Sequence, residues 1–267
     1  MESSQNKPIQ QMLTKAKLLQ QFRLLGIQDG SVIEVHSSLK SLGYVAGGAR
    51  TVVDALMDAV GYDGTIVMPA QGHDNSEPAY WMNPPIEAYL FSEVRENVPA
   101  FDGKISDMPY MGAIAANLRM RQGVLISDHP VGAFMAWGKY AKWITQSQPL
   151  SYTFAQDSPI GRMVELKAEV LLIGVGYDNC TGMHLAETHG NVRPILLQGS
   201  SVSVEGKDVW RKYLDYDYES DDFKPIGIRM EEMNLVEKRN IGDATVRLFS
   251  LSQAIKVAEE VLQKENV

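Results

Sequence analysis

A single cysteine, Cys180, stands among 267 residues. No intramolecular disulfide is therefore available to staple a small secreted fold. Apolar runs are short as well, and none approaches the roughly 18 residues that suggest a membrane span. The first residues lack a basic stretch followed by an apolar one, so no secretory signal is read and a cytoplasmic location is expected. Positive charge is scarce. Lys and Arg number 25 against 33 Asp and Glu, for a net charge of −8. That balance disfavours a nucleic-acid backbone as partner and suits a cationic small molecule better. Repeats, low-complexity tracts and long Pro/Gly/Ser linkers are missing, so one domain over 1–267 is the expectation. With 45% hydrophobic and 22% charged residues, the composition is that of an ordinary globular protein. Only the polar start MESSQNKP and the last few residues read as disordered.

What is present reads as alternating helices and strands. Apolar positions from Ile9 to Leu25 recur at helical spacing and predict an amphipathic helix over 8–25. A β-rich run over 31–36 predicts a strand, followed by a helix over roughly 50–60. A second buried strand spans 65–68 and is stopped by Pro69. Strand, crossover helix and strand make a βαβ unit with parallel pairing. From about 75 to 109 the chain is rich in proline (Pro78, Pro84, Pro85, Pro99), the mark of a long lid or binding loop. Residues 111–121 read as helical. Val170 to Val175 is a continuous aliphatic strand that needs cover on both faces. Mixed strands follow residue 195, and 251–264 reads as a closing amphipathic helix. The expected fold class is α/β, a mixed central sheet flanked by helices.

Four segments carry chemistry. The first, His36 to Gly48, joins a strand to a helix, where hydroxyls and backbone N–H groups favour an anion. The Walker and dinucleotide fingerprints are both absent, so a phosphate site and a plain Gly/Ser turn stay open. The second runs from Gly174 to Glu187, beyond the carboxyl end of the core strand. Asp178 or Thr181 is placed to cap the helix that begins there. His184 and Glu187, three apart, share a helical face. A carboxylate beside an imidazole fixes its tautomer, as a general base requires; the same pair could also be a plain surface contact. HExxH and HxxEH are absent and His189 is off that face, so no metal is expected there. Cys180 reads as a nucleophile or, more simply, a buried thiol. The third segment, Ser127 to Pro130, gives His129 a structural role or a pocket-facing one. The fourth, Asp215 to Asp222, reads as a solvated charge run or as a carboxylate row for ammonium groups. In the second case Asp215 and Asp217 point together, away from Tyr216 and Tyr218.

Taken in order, VIEVHSSLKSLGYVAGGARTVVDALMDAVGYDGTIVMP (32–69), ISDHPVGAFMAWGKYA (126–141), FAQDSPIGRMVELKAEVLLIGVGYDNCTGMHLAE (154–187) and YLDYDYESDDF resemble the aminoglycoside 3-N-acetyltransferases, the antibiotic N-acetyltransferase family. The resemblance implies an α/β fold of that type, not the GNAT type, and acetyl-CoA as donor. It implies that the loop of His36, Ser37, Ser38, Ser41, Leu42 and Gly43 helps hold the cofactor, with Ser158 nearby. It also implies that His184 is the catalytic base and Glu187 its support. Thr181 and Asp178 are grouped with them as catalytic candidates, Thr181 as an oxyanion donor. Asp215 and Asp217 are the candidate substrate carboxylates. The chain departs from the family pattern at Asp107-Met108-Pro109, Ile126 and Cys180. Implied partners are coenzyme A and a cationic amine acceptor, with no membrane, no nucleic acid and no metal; a homodimer is compatible. Competing readings are the same chemistry on another amine and a coenzyme A-binding protein without turnover. A Ser or Cys hydrolase is disfavoured because the GxSxG elbow is absent.

Overall fold

In the computed structural model the structure describes residue 9, residues 11–72 and residues 74–265. The polar start over 1–8 and the final two residues lie outside these. The first helix, α1 (Lys15–Leu25), begins later than its periodicity suggests. Thr14 caps it, its hydroxyl accepting from Lys17 N–H at 3.4 Å. Ahead of the cap, Leu13 is extended, exchanging backbone hydrogen bonds with Tyr44 and Ala46 at 2.9 Å each. A side-chain cap and a short bridge thus override the apolar spacing over 9–13.

The parallel βαβ unit forms as expected. Strand β1 (Val32–Ser37), helix α2 (Gly48–Val60) and strand β2 (Thr65–Pro69) follow in order, and the two strands pair in parallel. Helices α3 (Phe91–Asn97) and α4 (Gly112–Arg119) lead to β3 (Leu125–Ile126) and β4 (Phe134–Gly138). The Pro-rich stretch is therefore not wholly irregular, since it encloses α3 and single turns at Pro78–Tyr80 and Ala88–Leu90. Next come α5 (Ala141–Thr145), α6 (Pro159–Glu165), β5 (Glu169–Ile173) and α7 (His184–Gly190). A long hairpin, β6 (Ile195–Val204) and β7 (Lys207–Tyr216), precedes α8 (Phe223–Glu232). Strands β8 (Val236–Ile241) and β9 (Ala244–Ser250) and helix α9 (Leu251–Glu265) complete the chain.

Seven strands form one sheet in the order β3-β4-β2-β1-β5-β9-β8. The central three are parallel and the outer pairs antiparallel, so the sheet is mixed, with helices on both faces. Alternation along the strands sends Ile33, Val35, Leu171 and Ile173 toward α1, α2 and α4. Val67, Val170 and Leu172 go to the opposite core, under α6, α7, α8 and α9. This is the two-faced burial that the aliphatic run of β5 demands. At the end of β5, Gly174 has φ +63, and a Cβ there would lie 2.4 Å from Ser41 Cβ. Only glycine lets the β5 exit pass so close to the loop that follows β1.

The hairpin β6–β7 stands apart as a two-stranded sheet and is tied to the body by buried polar contacts. Asn75 donates to Ser201 O at 2.9 Å and accepts from Ser201 N–H at 2.7 Å. On the other side, His129 Nδ1 accepts from Gly132 N–H at 3.0 Å and Val131 N–H at 3.3 Å. Its Nε2 faces Leu150 O and the Thr153 hydroxyl, each at 3.2 Å. Thr153 in turn donates to Asp215 near the end of β7. His129 is fully buried and takes the structural role. Burial pulls its imidazole down to about 4, against the pull of the Leu150 carbonyl. An unfolded imidazole titrates near 6.5, so between those values the unfolded chain binds more protons. Stability from this group is complete above that window and is lost as pH falls through it. Urea denaturation monitored from pH 7 to pH 4 is expected to show a loss of about 3 kcal/mol from this source, absent in His129→Gln.

Candidate active site

After Gly174 the chain winds through two short turns, Tyr177–Asn179 and Thr181–Met183, before α7 begins at His184. Neither Asp178 nor Thr181 caps that helix. Its cap position is Met183, with no side-chain hydrogen bond, because the preceding turn already carries the chain into the helix. The i, i+3 relation predicted from spacing is present. Glu187 Oε2 bonds His184 Nδ1, which leaves Nε2 as the ring's outward nitrogen.

Glu187 is wholly buried. Its Oε1 accepts from Glu219 N–H at 3.0 Å and from Arg193 Nε. Arg193 also binds Asp222. Burial works against the Arg193 charge, but the Asp222 and Glu187 carboxylates outweigh it and hold the guanidinium above its ordinary value. Aromatic rings enclose the imidazole of His184. Phe154 stacks on it with centroids 5.2 Å apart and planes 11° apart. Tyr218 meets it at 5.1 Å and Phe223 at 4.8 Å. Burial keeps the Tyr218 phenol well above its usual range, so it stays protonated, and its oxygen accepts from Phe154 N–H at 3.2 Å. The ring of the base candidate is held in one orientation by the Glu187 contact and the three aromatic rings.

Two hollows meet at this ring. One, about 250 Å³, is lined by His36, Ser37, Asp178, Thr181 and Tyr110 among others. The second, about 660 Å³, is lined by Asp74, Trp81, Gln198, Asp215, Asp217 and Tyr218 among others. His184 and Gln71 line both. A third, about 820 Å³, lies under the Pro-rich stretch and shares Gly72, Asp74, Trp81 and Ile86 with the second.

The other expected residues are placed as follows. Of the loop after β1, His36 and Ser37 line the smaller hollow. Ser38 accepts from Ser41 N–H at 3.3 Å, and the Ser41 hydroxyl donates to Gly174 O at 3.0 Å. Leu42 is buried in the core, and Gly43 ends the turn at φ 75. Those four hold the loop's shape and do not line the hollow. Ser158 is fully buried as the cap of α6, accepting from Ile160 N–H, and lines neither hollow. Asp178 lines the smaller hollow and lies 3.5 Å from Lys224 Nζ. Asp215 and Asp217 do not form a row apart from the tyrosines, because all four of Asp215 to Tyr218 line the second hollow. Asp217 is exposed. Asp215 is buried, accepting from Thr153 N–H and Tyr216 N–H at 3.0 Å each. Burial raises its carboxyl above the usual range against those hydrogen bonds. His189 sits apart, bonded to Glu259 and Gln156.

Cys180 is buried, and burial pushes its thiol up, which is the inert reading and not the nucleophile. Its sulfur, the imidazole of His36 and the carboxylate of Glu34 offer donor atoms within 4.8 Å of one another. Glu34, Arg193, Phe154 and Phe223 were not singled out from the sequence, and Tyr218 was read there only as pointing away from the carboxylates. A charged residue inside an otherwise apolar β-run was the available signal for Glu34; the others come from separate segments and had none.

The chain from 35 to 263 matches the family model described as aminoglycoside 3-N-acetyltransferase. It is similar to the SPbeta prophage-derived aminoglycoside N(3')-acetyltransferase-like protein YokD of Bacillus subtilis (strain 168), at 36% identity over 92% of this chain and 91% of that one. The crystal structure of YokD superposes with a TM-score of 0.90, covering 94% of this chain and 99% of that one at 35% identity. AAC-IIIb in a binary complex with CoASH aligns at TM-score 0.85 and 25% identity, over 96% of this chain and 98% of that one. AAC-VIa bound to sisomicin aligns at TM-score 0.85 and 26% identity, over 96% and 99%. By sequence and by fold, the chain belongs to the aminoglycoside 3-N-acetyltransferase family.

Proposed function

We propose that this chain, as one acetyltransferase domain, transfers acetyl from acetyl-CoA to the 3-amino group of an aminoglycoside-type acceptor by direct attack, with His184 as general base. The observation that carries the reading is that His184 lines both hollows. One hollow is bounded by His36, Ser37 and Thr181, and suits the thioester end of the donor. The other is bounded by Asp74, Asp215 and Asp217, and suits a polycationic acceptor. Related structures in complex with CoASH and with sisomicin support the two classes of ligand.

The acceptor arrives as an ammonium and becomes nucleophilic only on losing a proton. His184 Nε2 takes it, while Nδ1–H stays on the Glu187 carboxylate, which stabilises the imidazolium. The amine nitrogen bonds to the thioester carbon. The carbonyl oxygen becomes an oxyanion beside the Thr181 hydroxyl, which donates to it. The carbon–sulfur bond then breaks, the nitrogen passes its second proton to the departing thiolate, and His184 releases the first to solvent, leaving the amide, the free thiol and one proton. Arg193 touches neither ligand in this scheme. It positions Glu187 from behind, its guanidinium shared between the carboxylates of Glu187 and Asp222.

Two outcomes follow for free-thiol release from acetyl-CoA with a kanamycin-, gentamicin- or neomycin-type acceptor. His184→Ala lowers kcat/KM by about 10²–10⁴-fold with an unchanged far-UV circular dichroism spectrum; turnover near the wild-type rate overturns the base assignment. Arg193→Met lowers kcat by roughly ten- to a hundredfold through misplacement of the base. KM for both substrates then stays within about twofold, as for an interaction felt only in the transition state. A rise in KM at constant kcat would instead make Arg193 a substrate contact.

A further inference from the structure

The first strand carries a carboxylate, Glu34, whose register neighbours on β2 and β5 are the apolar Val67 and Val170. Glu34 is wholly buried between Ile33 and Val35, beneath the turn that leads into α7. Its Oε1 accepts from Gly182 N–H at 3.0 Å and faces His36 Nε2 at 2.9 Å. Its Oε2 is buried with no hydrogen-bond partner. That oxygen lies so close to Gly182 that a Cβ there would stand 2.3 Å from it, so glycine at 182 is what leaves room for the carboxylate. A buried carboxylate oxygen without a partner is costly. Residues that could relieve it are at hand. The Cys180 sulfur, a ring nitrogen of His36 and a Glu34 oxygen lie within 4.8 Å of one another, and all three residues are buried.

We propose that Glu34, His36 and Cys180 form a binding site for one zinc ion. A thiolate, an imidazole and a carboxylate are the three ligand types that zinc combines, and thiolate disfavours the hard cations that prefer oxygen. Ligand distances of about 2.0–2.3 Å give a tetrahedral edge near 3.5 Å. No separation in the cluster exceeds 4.8 Å, so each closes by at most about 1.3 Å to reach that edge, a shift that side-chain rotation at Glu34 and Cys180 can supply. His36 exchanges its hydrogen bond to Glu34 for a bond to the metal. Three protein ligands leave a fourth position for water or a small thiol, on the side where His36 lines the smaller hollow. The ion ties β1 to the turn preceding α7. The site borders the proposed donor hollow through His36 and is tested without acetyl transfer.

The test uses the full chain, stripped with chelator and then titrated with zinc alone. Expected are one zinc per chain retained through gel filtration, measured by mass spectrometry of the element, and a raised thermal midpoint. Cobalt(II) in place of zinc is expected to give a thiolate-to-metal charge-transfer band in the near ultraviolet. Because the sequence holds one cysteine, that band reports Cys180 directly. Cys180→Ser abolishes the band, and Glu34→Gln weakens zinc binding by at least about tenfold, the smallest effect seen even for residues behind a metal's ligands. Circular dichroism of the metal-free variants checks that each is folded. No retained zinc, zinc bound equally by Cys180→Ser, or cobalt bound without the band each overturns the proposal. The last result would place the ion on other histidines.

Discussion

Glu187 is excluded from water, and both of its oxygens are engaged: one on the imidazole of His184, the other on Arg193 and the Glu219 backbone. A carboxylate in that position is stable only if its partners stay in place, since removing one leaves an uncompensated buried charge. The requirement fixes more than one side chain. Arg193 follows α7, Glu219 and Asp222 lie between β7 and α8, and His184 opens α7. One carboxylate therefore clamps the return of the β6–β7 hairpin to the helix that carries the ring. The aromatic wall of Phe154, Tyr218 and Phe223 is drawn from those same segments and from the loop before α6.

That geometry explains which parts of the site could be read from the sequence. The His184–Glu187 contact depends on a local period, three residues along a helix, and so it was legible. The parallel pairing of β1 with β2 and the central place of β5 were legible for a similar reason, because apolar periodicity and length report on burial. The ring's enclosure was not. Phe154, Tyr218 and Phe223 meet through tertiary folding, and no spacing in the chain relates them. Arg193 was missed because a lone arginine after a helix has many uses, and its carboxylate partners lie 6 and 29 residues away, neither at a helical or strand period.

Where the sequence misled, a local competitor won. Capping by Asp178 or Thr181 was reasonable for residues preceding a helix, but two tight turns supplied the entry in their place. The helix predicted from residue 8 was shortened by the Thr14 cap and by the bridge from Leu13 to Val45. Alternation across Asp215 to Glu219 assumed a strand that in fact ends at Tyr216. Past that point the chain turns inward, and Tyr218 joins the wall of the ring. The Pro-rich stretch hides a helix of seven residues, α3, too short for a periodic signal.

The borders of the main sheet have a bearing on association. At one border β3 contributes only two residues. At the other, β8 reads Val236-Glu237-Lys238-Arg239-Asn240-Ile241 and turns its charged middle to solvent. A strand from a neighbouring molecule would find too few free backbone groups on the first side and a row of hydrated charges on the second. Lateral growth of the sheet is thus blocked at both ends, and no helix among the described residues is long and apolar enough to cross a bilayer. Contact between copies is then left to helix faces, loops and the projecting hairpin, whose two strands pair only with each other and so keep outer edges of their own.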